Sequence, residues 1–103
     1  MPNESKAPDG NAQMLVLERR DPSLNMARFY VLAIEPTLFG DAALVREWGR
    51  LGSRGRRRLD LFASFEGAAD SLDAWLARKR RRGYRLTARL LALRDPETFR
   101  RGD

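Results

Sequence analysis

The chain has 103 residues, 43% apolar and 33% charged, with a net charge of +6 at neutral pH; this describes one globular domain with a single modest core, not a disordered or membrane protein. It contains no cysteine and no histidine, which excludes disulfides, thiolate or imidazole zinc sites, cysteine nucleophiles and every acid–base scheme built on imidazole. The longest clear apolar run, Phe29–Ile34, is far shorter than a membrane span, and the amino terminus has neither the basic nor the apolar region of a signal peptide, so a cytoplasmic location is expected.

Residues 1–12 are polar, with Pro, Gly and Asn, and read as a disordered leader to a single domain over 13–94. Met14–Arg19 has the apolar density of a short strand and is closed by the turn formers Asp21–Asn25. Met26–Glu35 is rich in aromatic and β-branched residues and apolar at both alternating sets of positions, as a central strand covered on both faces would be. Pro36–Asp41 is a loop. Ala42–Leu51 resumes as a strand, with Leu44, Arg46, Trp48 and Arg50 on one face and Val45, Glu47, Gly49 and Leu51 on the other.

Gly52–Gly55, GSRG, is a hairpin turn in which two glycines supply the positive φ angles that tight turns need. Arg56–Phe65 follows as a strand with Leu59, Leu61, Ala63 and Phe65 alternating inward. If Ser53 and Arg54 are the two turn residues, Trp48 lies opposite Leu59; a loop one residue longer or shorter sets it opposite Arg58 or Asp60. Glu66–Arg82 is the clearest helix. Its apolar residues recur at three- and four-residue steps, acids crowd its start and bases its end, Ser64 can cap it, and Gly83 stands where a left-handed C-terminal cap belongs. Trp75 and Tyr84 read as core. Tyr84–Ala88 is expected as an edge strand, Leu90–Phe99 as a short helix and 95–103 as a flexible polar tail.

Charge is segregated along the chain. Arg46–Arg58 carries six basic residues and one acidic, and Arg78–Arg89 carries seven basic and none acidic, whereas Leu59–Ala77 holds four acids and no base. Only Lys6 and Lys79 of the 20 basic residues are lysine; the arginine fork matches phosphate and stacks on bases, so the bias leans toward nucleic acid. Glu66, Asp70 and Asp73 fall near one another on a helix, but acids in first turns are favoured by the helix dipole and need no catalytic role. No enzyme, catalytic residue, metal or cofactor is indicated.

With Trp48-Gly49-Arg50 in place the chain resembles a WGR domain, the module named for that tripeptide. The likeness extends in order from Asn25 and Arg28-Phe29-Tyr30, through the tripeptide with Leu51-Gly52 and a Gly-rich turn, to a helix ending at Lys79 and Gly83-Tyr84, and spans about Leu15 to Arg85. It implies an α+β fold, a twisted antiparallel β-sheet with one main helix packed across it. In poly(ADP-ribose) polymerases such a module helps to recognise broken DNA, contacting the backbone near a strand end and relaying contact to neighbouring domains. A chain without histidine cannot carry those enzymes' histidine-containing NAD site.

The expected function is therefore a non-catalytic nucleic-acid-binding module with little sequence preference, DNA ahead of RNA. Trp48 would stack on a sugar or base, Gly49 would let a backbone approach, and Arg46 and Arg50 would grip phosphates on either side of Trp48. Arg54, Arg56, Arg57, Arg58, Lys79 and Arg82 would extend the basic surface. The rival expectation is an adaptor whose arginine faces dock an acidic protein partner. Attachment to anionic membranes is disfavoured, because the apolar face of the helix is needed by the sheet.

Overall fold

The computed structural model describes residues 12–92. Five stretches of alternating or wholly apolar sequence pair into one antiparallel sheet: β1 (Ala12–Asp21), β2 (Met26–Pro36), β3 (Ala42–Arg50), β4 (Arg56–Phe62) and β5 (Arg85–Ala92), in the spatial order β4-β3-β2-β1-β5. The helix α1 (Phe65–Arg81) carries the chain from β4 on one edge to β5 on the other and packs across one face. The fold is α+β.

Register decides what the helix covers. Leu15 pairs with Leu32, Leu17 with Tyr30 and Ile34 with Leu44, which puts all six side chains on one face, where Ala68 and Leu72 of α1 meet them. Leu15, Leu17, Leu32, Ile34 and Leu44 are fully buried, and each such side chain contributes roughly 1.5–3 kcal/mol.

The boundaries of these elements have local causes. Between β1 and β2 the side chain of Asp21 accepts from the backbone N–H of Ser23, Pro22 opens a 3₁₀ turn, and Asn25 closes it in the left-handed region at φ 54°. Ser64 caps α1 by accepting from the Gly67 N–H at 3.1 Å. At the other end Gly83, φ 97°, donates to the Arg80 carbonyl and Tyr84 to that of Lys79, both at 3.0 Å, the paired bonds of a Schellman cap. That cap redirects the chain so that Tyr84 returns over the sheet before β5 begins.

Several expectations are corrected. β4 stops at Phe62 and Phe65 opens the helix. Phe62, opposite Ala42, is the inward residue of β4, so Leu59 and Leu61 lie on the face away from α1 and are exposed at 49% and 64%. The hairpin loop Leu51–Gly55 is longer than a two-residue turn, and Trp48 pairs with Arg56, three positions from the Leu59 pairing that a two-residue turn would give. Positive φ at Gly52 and Gly55, 91° and 75°, does close that loop. The edge strand at Tyr84–Ala88 exists as β5, but it continues to Ala92, so Leu90–Ala92 is strand where a helix was expected. The central strand β2 is covered by α1 on one face only. The leader before Ala12, the rest of the expected C-terminal helix and the tail 95–103 lie outside the described residues.

Candidate nucleic-acid interface

At the end of the sheet where α1 terminates, β1, β2, β3 and the helix end enclose an open pocket of about 460 Å³. Five of its lining residues are cations, Arg19, Arg28, Arg46, Lys79 and Arg82, and four are aromatic, Tyr30, Trp48, Trp75 and Tyr84. Met26 completes the lining, and no carboxylate contributes to it.

Strand parity and helix periodicity together build this pocket. Arg28 and Tyr30 are two apart on β2, and Arg46 and Trp48 two apart on β3, all on the helix-covered face. Along α1 and its cap residue, Ala68, Leu72, Trp75, Lys79 and Arg82 follow at steps of four, three, four and three. The stripe that supplies core at the helix start therefore turns cationic at its end.

The aromatic rings form one stack. Tyr30 is central, with Trp48 at 5.8 Å and 17° on one side, Trp75 at 6.3 Å and 22°, and Tyr84 edge-on at 6.1 Å and 74°. Cations lie against these faces: the Arg46 guanidinium 4.1 Å from the Trp75 ring and 5.6 Å from Trp48, Arg78 4.8 Å from Trp75, and Lys79 Nζ 4.4 Å from Tyr30. Such contacts hold charge in place without neutralising it.

Arg46 is the buried member, at 8% exposure. Its Nη1 donates to the Tyr30 hydroxyl at 3.1 Å and its Nη2 lies 3.6 Å from Asp60, while its buried Nε has no hydrogen-bond partner among the described residues. Arg46 is thus part of the floor of the pocket, not the free arm expected from the sequence. Lys79 faces the pocket beside it. Partial burial, then the charges of Arg82, Arg78 and Arg46, push its ammonium below a lysine's ordinary 10.5. Burial is the first cause, and the three neighbouring guanidinium groups act in the same direction.

Of the residues singled out in the sequence, Arg46, Trp48, Lys79 and Arg82 meet in this pocket. Arg56 and Arg58 pair with Trp48 and Arg46 across β3–β4, so they stand on the same face as exposed flanking cations, Arg58 within 3.5 Å of Asp60. Arg50 and Arg54 are exposed along the hairpin. Arg50 lines a separate shallow depression with Arg20, Pro22, Asn25, Met26 and Ala27. Arg57 is on the opposite face, paired with Glu47 at 3.4 Å.

Gly49 is also on the opposite face. A Cβ there would stand 2.7 Å from the Cα of Gly55, so the backbone it admits is the chain's own hairpin. Trp48 is half-buried, stacked on Tyr30 while it lines the pocket. Arg19, Arg28, Tyr30, Trp75 and Tyr84 were missed as site residues. The 68-72-75-79-82 stripe was the signal that could have found Trp75.

The fold and pocket together define a small α+β module with a cationic, aromatic-floored concavity. The WGR domain family matches residues 13–89, and the chain belongs to it. It is also 49% identical over 71 residues to "Uncharacterized protein y4dW" of Sinorhizobium fredii (strain NBRC 101917 / NGR234). That match takes in 69% of this chain and 35% of the relative, so the chain spans about a third of that protein's length. No solved structure matches the chain. Among the described residues no helix is long and apolar enough to cross a membrane, and no group of three or more carboxylate or other ligating side chains could hold a metal ion.

Proposed function

We propose that the protein is a non-catalytic nucleic-acid-binding module that takes a DNA strand end or backbone into the pocket between α1 and β3. The observation that carries this reading is the lining itself, five cations and four aromatic rings with no carboxylate. Phosphate oxygens are the ligands that such a donor set satisfies, and an aromatic floor offers stacking to a sugar or base. Trp48, backed by the buried Tyr30 ring, supplies the stacking surface, while Arg28, Lys79 and Arg82 meet phosphates. Arg56 and Arg58 extend contact along the same face. Among the described residues no helix is presented to a groove with base-reading side chains, so little sequence preference is expected.

The test is fluorescence anisotropy of a labelled duplex with free ends, titrated at several salt concentrations and competed with closed circular DNA. The expected result is a log–log salt slope of about −4.5 for some five phosphate contacts, with circles competing poorly. Lys79→Gln and Arg82→Gln should each flatten that slope by about one contact. Equal competition by circles would replace strand ends with backbone in general. Negligible binding to duplex and single strands at low salt would overturn the reading and leave an adaptor for an acidic protein.

A further inference from the structure

The face of the sheet turned away from α1 carries an apolar row that crosses all five strands. Leu90 pairs with Met14, Met14 with Ala33, Ala33 with Val45 and Val45 with Leu59. The row toward the hairpin adds Val16 and Val31, and the row on the other side adds Ala43 and Leu61. The middle is buried by its neighbours, Ala33 at 5% and Val45 at 2%, but Leu59, Leu61 and Leu90 are exposed at 49%, 64% and 50%. Among the described residues no helix packs over this face, since Ala68 and Leu72 of α1 join Leu32 and Leu44 on the other. A sheet that is apolar on both faces calls for a second layer on each.

We infer that this face is a homodimer interface, closed by a second copy of the chain packed sheet on sheet. Charge selects that occupant. The protein carries a net +6, and on the α1 side stand Arg56 and the pocket cations Arg19, Arg28, Lys79 and Arg82, none of them ion-paired among the described residues, with Arg46 and Arg58 sharing the single carboxylate of Asp60. On the apolar face the flanking charges come in opposite-sign sets: Glu47 with Arg57 at 3.4 Å, Glu18 with Arg20 at 3.2 Å, and Arg85 across from Glu18 in register. Two copies meeting here bring together faces that balance overall, Glu18, Glu35 and Glu47 against Arg20, Arg57 and Arg85, whereas contact through the α1 side would press two basic surfaces together. Nucleic acid finds an apolar middle and cations already matched by carboxylates, and Glu18, Glu35 and Glu47 disfavour an anionic membrane.

The area is that of a weak dimer. Five strands at about 4.8 Å and three side-chain rows at about 6.8 Å cover on the order of 450 Å² in projection, or roughly 1,000 Å² over two copies, the low end for a specific contact. Association is therefore expected to be concentration-dependent. The dimer leaves both pockets facing outward on opposite sides. Holding two nucleic-acid segments at once is a consequence that rests on the reading proposed above; the dimer itself does not.

Sedimentation velocity of the protein alone, from about 5 µM to about 500 µM, tests this, a range that brackets the affinity such an area supports. The wild type should move from monomer to dimer across the series. Leu59→Glu/Leu61→Glu, two exposed changes on the edge strand, should remain monomeric with an unchanged circular dichroism spectrum, while Arg54→Glu on the hairpin loop should dimerise as the wild type does. Should the double variant fail to fold, wild-type NMR decides: methyl signals of Val45, Leu59 and Leu90 should shift with concentration, and those of Leu32 and Leu44 should not. A wild type that stays monomeric throughout overturns the inference, whether another segment of the chain or a different protein covers the face. Dimerisation undiminished in the folded double variant overturns it as well. No nucleic acid is present, so failure of nucleic-acid binding leaves the result intact.

Discussion

Arg46 and Lys79 show how differently two cations of one pocket are held. Arg46 is 8% exposed and bonded to the Tyr30 hydroxyl, so its removal strands buried groups and opens space beneath Trp75. Arg46→Ala is expected to destabilise the fold by about 2–4 kcal/mol, read by urea unfolding, with most of the loss from packing and the Tyr30 bond. Asp60 is a third exposed, so its ion pair adds little. Lys79 is accessible and its pKa is lowered, which makes its effect visible in pH. An anionic ligand binds the protonated amine, so affinity holds below the lowered pKa and falls as pH rises through it, before an ordinary lysine would titrate. Lys79→Arg should abolish that fall, because arginine stays charged. For stability the sign is opposite: the unfolded chain binds the proton more tightly than the folded one. The Lys79 contribution therefore improves as pH rises between the lowered pKa and 10.5.

The β3–β4 hairpin is the element on which the site depends and the one least legible in the sequence. Gly49 and Gly55 face each other across it, and a Cβ on Gly55 would collide with the Trp48 carbonyl and stand 2.7 Å from the Phe29 ring. Gly55 also holds φ 75°. Gly55→Ala is expected to cost about 2–3 kcal/mol and to shift Trp48, seen as lost denaturant stability together with a changed Trp environment. Ser64→Ala, by contrast, should cost about 1 kcal/mol through the lost helix cap and leave the pocket unchanged. Alternation and capping made β1, β2, β3 and α1 readable, because those signals act within a few residues, but not the end and inward face of β4 or the extent of β5. Hairpin register is set by a five-residue loop locked through Phe29 on another strand, a contact that no local pattern encodes. The same nonlocality hid Tyr84 as a pocket residue: it reaches Tyr30 only because the Gly83 cap turns the chain back.

Across the whole molecule the fold separates charge by face and by end. The helix starts with Glu66 and finishes with Arg78, Lys79, Arg80 and Arg81, and β1, β2 and β3 add Arg19, Arg28 and Arg46 to that same finishing end. The helix C-terminus offers carbonyls that favour cations there, yet a cluster of this density repels itself, and its charges add to burial in lowering the Lys79 pKa. An arrangement that strains the free protein is relieved by whatever anion fills it, so ligand and stability are linked. Inorganic tripolyphosphate or a short 5′-phosphorylated duplex should raise Tm more than sodium chloride at the same ionic strength, which only screens. For a ligand at 100 times its Kd the gain is about 2.7 kcal/mol, which corresponds to roughly 10–20 °C in a domain of this size. Removing a pocket cation should act in reverse on the two readouts: Arg82→Gln should hold or raise the Tm of the free protein and shrink the rise produced by the polyanion. Equal Tm increments from polyanion and chloride in the wild type would mean that screening alone relieves the cluster and that the pocket holds no anion.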